Sequence, residues 1–274
     1  MKLATVLVLA VSSTVAARAD SLFAYEGFQY TAGSSLGGQN GGSGWASSWF
    51  TPGGLDATTT AQSLSFGNLV VSAGAVTTAG FQPPNQGASV AFWLRNLATP
   101  LGADGTTVYL SFLLQPDAGY GFYGGIDFGN VFIGRSGNQA DYGLEGPVND
   151  LSLSNVPVVQ GETDLLVLEA QFQAGNDLLS LFVNPTPGQP QPATPTATKN
   201  DLDVGTVTGV VINNYGGYTT DEILIGPTFA SVTPVPEPAF GWAVGVALAC
   251  LVGLKRRFRS YLVGSPQACQ SPTL

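Results

Sequence analysis

The 274-residue sequence contains no histidine and only two cysteines, Cys250 and Cys269, which both lie near the C-terminus. The preceding chain therefore has no imidazole base, no thiol nucleophile, no disulfide and no nitrogen or sulfur ligands for zinc or copper. Most familiar catalytic and transition-metal sites are excluded from this part of the chain, and we expect no cofactor there.

Positive charge is also scarce. Between residues 21 and 233, sixteen acidic residues stand against three basic ones, Arg95, Arg135 and Lys199, which gives a net charge of −13. Such a surface repels phosphate backbones, so we expect no binding to nucleic acid.

The many acids leave one structural Ca²⁺ open as an alternative, without assignable ligands. The segment NDLDVG begins like an EF-hand loop, but Ile212 occupies the place of the bidentate glutamate, so the motif fails. Asp201 and Asp203 are interpreted as turn and strand-edge residues. The glycine-rich run at 33–45 lacks the lysine and following helix of a phosphate-binding loop, and is interpreted as a flexible surface loop.

The N-terminus is typical of a secretory signal peptide. Lys2 precedes a short apolar stretch, and small residues stand at Ala17 and Ala19, so we expect cleavage after Ala19. The alternative of an N-terminal membrane helix is disfavoured because the apolar stretch is too short to span a bilayer.

Residues 239–254 form an uncharged run of sixteen residues followed by a basic cluster of Lys255, Arg256, Arg257 and Arg259. As a helix the run would cover about 24 Å, slightly less than the hydrocarbon core of a membrane. Snorkelling of the basic side chains would close the gap, and they would stay cytoplasmic. We predict one C-terminal transmembrane helix; a buried core helix is the alternative.

The triplet Pro236-Glu237-Pro238 directly before this run makes the tail resemble the PEP-CTERM sorting signal of Gram-negative bacteria that produce extracellular polysaccharide. The resemblance implies that an exosortase-type enzyme recognises the triplet and processes the exported chain. Both prolines favour an extended backbone, which would present the triplet as an accessible peptide. Residues 234–259 would be the sorting signal, and 260–274 a cytoplasmic tail longer than the family usually has.

Residues 20–233 are predicted to form an all-β domain. Gly-Asn pairs lie between β-prone runs at 63–72 and 125–134, and a third hairpin is expected at 163–183. Further strands are expected at 22–26, 89–94, 107–115, 204–213 and 222–225, whereas the proline-rich segment 184–200 cannot be a central strand. Because no helical crossovers are predicted, the favoured architecture is a two-sheet antiparallel jelly-roll sandwich.

This domain resembles LamG-like, concanavalin A-like jelly rolls, through YEGFQYTAGSSLGGQNGGSGW, LLVLEAQFQAGNDLLSLFVNPTP and TDEILIGPTFASVTP. The superfamily includes lectins, glucanases and adhesive modules, so the resemblance implies a fold more than an activity. A glucanase needs paired carboxylates. The candidates Glu162, Asp164 and Glu169 are spaced more widely than the family's catalytic pattern, and Glu169 has the opposite strand parity, so it is interpreted as a solvated strand residue.

Carbohydrate contact is the better supported binding hypothesis. Six aromatic residues lie in or beside glycine- and asparagine-rich stretches, where their faces could stack on sugar rings: Trp45, Trp49, Tyr120, Tyr123, Tyr215 and Tyr218. Asn213, Asn214 and Asp221 would supply hydrogen bonds. The alternative is that the six aromatics fill the core, as we expect for Trp93.

The sequence thus predicts an exported, non-enzymatic jelly-roll protein of the cell envelope or extracellular matrix, adhesive, structural or carbohydrate-binding. It would pass through a single-pass intermediate in the inner membrane, with an exosortase-type enzyme and polysaccharide as candidate partners. The alternative is a secreted glycan-active enzyme of the same fold, which a pair of carboxylates in an open groove would indicate.

Overall fold

The structure, a computed structural model, describes residues 21–51, 53, 56–80, 90–147 and 150–236. Several predicted features lie outside these residues: the signal peptide, Glu237 and Pro238 of the triplet, the apolar run, the basic cluster and the tail. Pro236 is described and is exposed. Within the described ranges, no helix has the length and apolarity needed to cross a membrane. The unit described below ends at Val235.

Within these residues the chain forms twelve β-strands and one four-residue helix. They are β1 (Ala24–Glu26), β2 (Ala57–Thr60), β3 (Ala75–Thr78), β4 (Val90–Leu101), β5 (Thr107–Phe128), β6 (Val131–Arg135), β7 (Asp141–Gly146), β8 (Asp150–Pro157), β9 (Asp164–Gln171), β10 (Leu178–Val183), β11 (Ala197–Lys199), β12 (Val207–Gly226) and α1 (Phe229–Val232). All the strand pairs are antiparallel.

Strands β5 and β12 form the centre of the fold, since they pair along most of their length. The register shifts after Asn214, after Gly216 and after Asp221. Such β-bulges bend a strand and increase its twist. Each of the two long strands therefore contributes to both halves of the domain.

The first half continues from the start of β5 through β9, β10 and β11, and the second from the end of β5 through β6, β7 and β8. On its other edge, β12 pairs with β4, β3 and β1. The halves pack face to face: Tyr142 Oη donates to Asp164 Oδ2 at 2.7 Å, and Ser152 Oγ donates to the Thr198 carbonyl at 2.6 Å. The predicted all-β antiparallel sandwich is confirmed and is consistent with a jelly roll, although its strands form one continuous hydrogen-bonded network.

The core lies between the two halves and is built from alternate residues of their strands. The first half contributes Leu110, Phe112, Leu166 and Leu168, and the second contributes Ile126, Phe128, Ile133 and Leu144. Burying each such side chain stabilises the fold by about 1.5–3 kcal/mol. This strict alternation leaves the other face of each half free to carry polar or functional side chains.

On the first half, that outer face is covered by the segment 62–72 and helix α1, which pack Leu64, Leu69 and Phe229 onto the sheet. The hairpin predicted at 63–72 is wrong. The Gly67–Asn68 turn is present, but the segments around it hydrogen-bond to other parts of the chain instead of to each other: Leu64 N donates to Asp221 Oδ2 at 2.9 Å, and Ser72 N donates to Glu222.

The other two hairpins are confirmed, as β5–β6 and β9–β10. The strands predicted at 204–213 and 222–225 are parts of the single strand β12, and those at 22–26, 89–94 and 107–115 match β1, β4 and the first part of β5. The proline-rich segment is mainly a loop, and its end forms the short strand β11, which pairs with β10.

Candidate functional site

The outer face of the second half carries a row of polar and aromatic side chains. In β5, Ile126 and Phe128 point into the core, so Asp127 between them points outward. Asp127 lies opposite Phe132 in β6, which lies opposite Glu145 in β7. Sheet register therefore places the two carboxylates on one face, with Phe132 between them.

The next row on this face consists of glycines, because Gly125 pairs with Gly134 and Gly134 with Gly143. A Cβ atom on Gly134 would lie 2.2 Å from the carbonyl oxygen of Gly124, so no larger residue fits without moving the strand. The close approach of the strands thus leaves three neighbouring positions without side chains, which creates a depression in the outer face of the sheet.

Four aromatic rings form a continuous strip across this face. Phe92 contacts Tyr215 with ring centroids 6.1 Å apart, Tyr215 contacts Tyr123 at 5.6 Å, and Tyr123 contacts Phe132 at 5.3 Å. The rings come from β4, β12, β5 and β6 in turn, so tertiary pairing of four strands assembles the strip. Two contacts are edge-on and one is tilted, arrangements that aromatic pairs prefer.

The strip and the acidic row line a cleft of about 470 Å³, which we call the outer cleft. Its lining also includes Asn213 of β12 and the turn at 129–131 between β5 and β6. The volume lies within the range of small-molecule and sugar sites, and the mixture of aromatic surface with a few polar groups is typical of them.

Asp127 is half-buried in the outer cleft and accepts a hydrogen bond from Asn213 Nδ2 at 3.1 Å. Burial raises the pKa of Asp127 to about 6, an effect that the Asn213 bond opposes and the negative charge of Glu145 strengthens. The oxygen of the same amide, Asn213 Oδ1, is buried without a hydrogen-bond partner among the described residues.

Glu145 is buried at the end of the same row and accepts hydrogen bonds from Ser136 Oγ and, at 3.3 Å, from Tyr123 Oη. Burial, the negative charge of Glu145 and their hydrogen bond raise the pKa of Tyr123. The two acids thus have different surroundings, since Glu145 is held by two hydroxyls and Asp127 by one amide.

Of the six aromatics predicted to contact carbohydrate, the structure brings only Tyr123 and Tyr215 together in the outer cleft. Trp45 and Trp49 instead surround Arg95, whose guanidinium carbon lies 5.0 and 5.6 Å from their ring centroids. Trp49 is fully buried, and Trp45 packs against the core. Trp49 thus lies in the core and Trp45 is partly buried against it, and neither lines the outer cleft.

Tyr120 and Tyr218 form a separate pair beside Arg135. Tyr218 is fully buried and donates to the Gly121 carbonyl at 3.0 Å, while Arg135 stacks on Tyr120 at 4.9 Å. Trp93 is buried in the core, as expected. Neither tyrosine of this pair lines the outer cleft.

Asn213 lines the outer cleft as expected, but the other two predicted hydrogen-bonding residues do not. Asn214 is buried, and its Oδ1 accepts from Gly125 N at 3.1 Å. Asp221 is also buried, and its carboxylate accepts from the backbone amides of Leu64 and Glu222. Asn214 has the opposite strand parity from Asn213, and Asp221 lies beyond two bulges in β12. Neither side chain can therefore reach a ligand in the outer cleft.

The three acids considered for catalysis do not converge. Asp164 is buried on the core side, where it accepts from Tyr142, whereas Glu169 lies on the opposite face of β9. The interpretation of Glu169 as a solvated residue is wrong: it is only 9% exposed and accepts from Tyr109 Oη at 3.0 Å and Gln191 Nε2 at 2.8 Å. It lines a second cleft of about 360 Å³ under the proline-rich loop.

In the part of the chain that the structure describes, no group of three or more acidic or cysteine side chains is placed to hold a metal ion. Asp201 forms an ion pair with Lys199 at 2.8 Å, and Asp203 caps its own turn by accepting from Gly205 N at 2.8 Å. These contacts agree with the interpretation of both residues as turn and strand-edge residues.

Sequence reasoning missed four residues of the outer cleft, namely Phe92, Phe132, Asp127 and Glu145. One signal was present, because Asp127 is a lone acid at an alternate position in the apolar run of a predicted hairpin. The other three depend on which strands become neighbours, and no local pattern contains that information.

No protein-family model and no curated protein sequence matches the chain. Thirteen chains of solved structures do match. They include the T. cruzi calreticulin globular domain (14% identity, 65% of this chain and 86% of that one, TM-score 0.39). A second is alginate lyase vAL-1 from Chlorella virus (7% identity, 67% of this chain and 90% of that one, TM-score 0.30). A third is the cellulose induced protein Cip1 (15% identity, 67% of this chain and 91% of that one, TM-score 0.38). Similarity at this level does not identify a ligand for this chain.

Proposed function

We propose that this protein is exported and binds a glycan in the outer cleft, as an adhesive or structural component of the cell envelope or extracellular matrix. The observation that carries the proposal is the strip of four aromatic rings beside two acids and an amide. Aromatic faces pack against the C–H groups of sugar rings, while carboxylate and amide groups hydrogen-bond to hydroxyls. The cleft combines both in one open surface.

The export part of the proposal rests on the sequence at the two ends. The signal peptide at 1–19 would direct secretion, and the PEP-CTERM-like segment at 234–259 would direct processing by an exosortase-type enzyme. A LamG-like jelly roll remains the proposed family of the domain between them. The intact mass of protein recovered from cells tests this route, which predicts loss of residues 1–19 and of the chain beyond the triplet.

Glycan-array binding of the full chain tests the cleft. We expect Tyr123→Ala and Tyr215→Ala each to weaken binding about tenfold or more, since one stacked ring contributes about 1 kcal/mol beyond its buried area and truncation loses both. Tyr120→Ala is the matched control, because Tyr120 is a half-buried tyrosine outside the outer cleft. Equal binding by all three variants and the wild type would contradict the proposal.

A secreted glycan-cleaving enzyme is the second candidate, and one observation favours it. Asp127 and Glu145 share an open cleft, and two strand spacings put their Cα atoms about 10 Å apart, which suits a pair of carboxylates acting across a bound sugar. Release of new reducing ends by the wild type but not by Asp127→Asn would support this candidate. Binding without release would support the non-enzymatic one.

A further inference from the structure

The outer cleft is negatively charged and has no neutralising partner within the described residues. Its lining includes Asp127 and Glu145 but no lysine or arginine. Each of the three described basic side chains is engaged elsewhere: Arg95 pairs with Glu26, Arg135 stacks on Tyr120, and Lys199 pairs with Asp150 and Asp201. A bound ligand therefore meets two acids whose charge is not compensated nearby.

Both acids are at least partly withdrawn from water, Glu145 more than the half-buried Asp127. Glu145 is 8% exposed, and burial raises the pKa of Asp127. A buried carboxylate is stabilised by a cation that approaches it, because attraction grows as the effective dielectric constant falls. A cationic ligand would therefore gain more here than at a solvated surface acid.

The aromatic strip adds a second attraction for a cation. Tyr123 touches Glu145 through its hydroxyl and Tyr215 through its ring, so the same rings that would stack on a sugar adjoin the acids. An ammonium group over an aromatic face is stabilised by the negative face of the ring.

From this arrangement we infer that the outer cleft selects glycans that carry free amino groups over neutral glycans, and rejects glycans that carry carboxylates. The inference rests on the proposed function, since it concerns the same cleft. It adds to that function the charge that the bound glycan should carry. Acetylation of each amine would remove both the charge and the attraction, while a uronic acid would bring a third negative charge against the two acids.

Calorimetric titration of the full chain with three hexasaccharides tests the inference at about pH 6.5, where Asp127 is mostly ionised and the glucosamine amines still carry substantial positive charge. The probes are a glucosamine hexamer, its fully N-acetylated form and a galacturonate hexamer. We expect the amine hexamer to bind at least tenfold more tightly than the acetylated one, and the galacturonate to bind most weakly. Raising the salt from 50 to 500 mM should reduce the difference, because salt screens the attraction between the open cleft and the approaching charged ligand.

The variants Asp127→Asn and Glu145→Gln should each reduce the preference for the amine hexamer over the acetylated one severalfold. Asp104→Asn, which removes an exposed acid outside the cleft, should leave the preference intact. If a variant fails to fold, the salt dependence of the wild type still decides the question.

The possible failures are distinguishable. If the acetylated hexamer binds as tightly as the amine hexamer, the inference is overturned and glycan binding stands. If none of the three binds, both proposals are overturned. If hexalysine binds as tightly as the amine hexamer and the acetylated hexamer does not bind, the cleft recognises ammonium groups of a peptide, and the glycan proposal fails.

Discussion

Removal of the Arg95 guanidinium should destabilise the domain more than loss of any surface charge. Arg95 and Glu26 form an ion pair that is only 1% exposed on each side. Arg95 also donates to the Ser47 carbonyl at 3.0 Å, and to Asn40 Oδ1 and the Gly41 carbonyl at 3.0 and 2.7 Å. The glycine-rich run expected to be a flexible surface loop is thus tied to β4 by one side chain.

The expected loss of folding free energy follows from the Glu26 charge that Arg95→Met leaves unpaired. Breaking a buried ion pair by removing one partner costs about 3–5 kcal/mol, because the remaining charge is uncompensated. Glu26 would retain hydrogen bonds from Phe28 N, Tyr30 Oη and Trp49 Nε1, so we expect the lower end of that range. For a domain of this size, about 3 kcal/mol lowers the Tm by about 6–12 °C.

Thermal unfolding followed by circular dichroism measures this loss. Arg135→Met is the control, because Arg135 is half-exposed and contacts Tyr120 rather than a carboxylate; its loss should cost about 1 kcal/mol. The double variant Glu26→Gln with Arg95→Met should be more stable than Arg95→Met alone, since no charge is left unpaired. Equal Tm losses for Arg95→Met and Arg135→Met would refute the reasoning.

Three further predictions concern stability. Burial and the neighbouring Glu222 charge raise the pKa of Asp221 to about 8, so the folded state holds a proton that the unfolded chain releases above about pH 4. The free energy of unfolding, measured by denaturant titration, should therefore fall from pH 4 to pH 8. It should fall less steeply for Asp221→Asn. Gly134→Ala should cost about 1–3 kcal/mol in urea unfolding because its Cβ would meet the neighbouring strand. Tyr142→Phe should cost about 1–2 kcal/mol in the same assay by leaving Asp164 with one donor fewer.

Each of these three has an outcome that contradicts it. Parallel pH profiles for the wild type and Asp221→Asn would mean that this carboxyl is already ionised in the folded state. Unchanged urea midpoints would show that the strands beside Gly134 can separate at little cost, or that water replaces the Tyr142 hydroxyl.

Strand identity could be predicted wherever the pairing is local. The β5–β6 and β9–β10 hairpins follow from turn residues between alternating runs, and both are present. The length of β12 could not be predicted, because its glycine-rich middle is held in the strand by pairing with β5 across bulges. The segment 63–72 looked equally hairpin-like, but buried acids distant in sequence bind its backbone instead.

The residues of the candidate site could likewise be predicted only in part. Aromatic residues in glycine-rich stretches indicated Tyr123 and Tyr215 correctly, yet the same pattern at Trp49 and Tyr218 belongs to buried side chains. Composition could not separate the two cases, because the face that a strand presents to the core depends on its partners. Glu145 enters the cleft only through the register of β6 with β7.

Hydroxyl-radical footprinting of the full chain, with and without a saturating glycan ligand, tests the central claim most directly. Tyrosine oxidation is read residue by residue by mass spectrometry. Binding in the outer cleft predicts protection of Tyr123 and Tyr215, with Tyr120 unchanged. Protection of Tyr109 in the second cleft, with Tyr123 and Tyr215 oxidised as in the free protein, would contradict the claim.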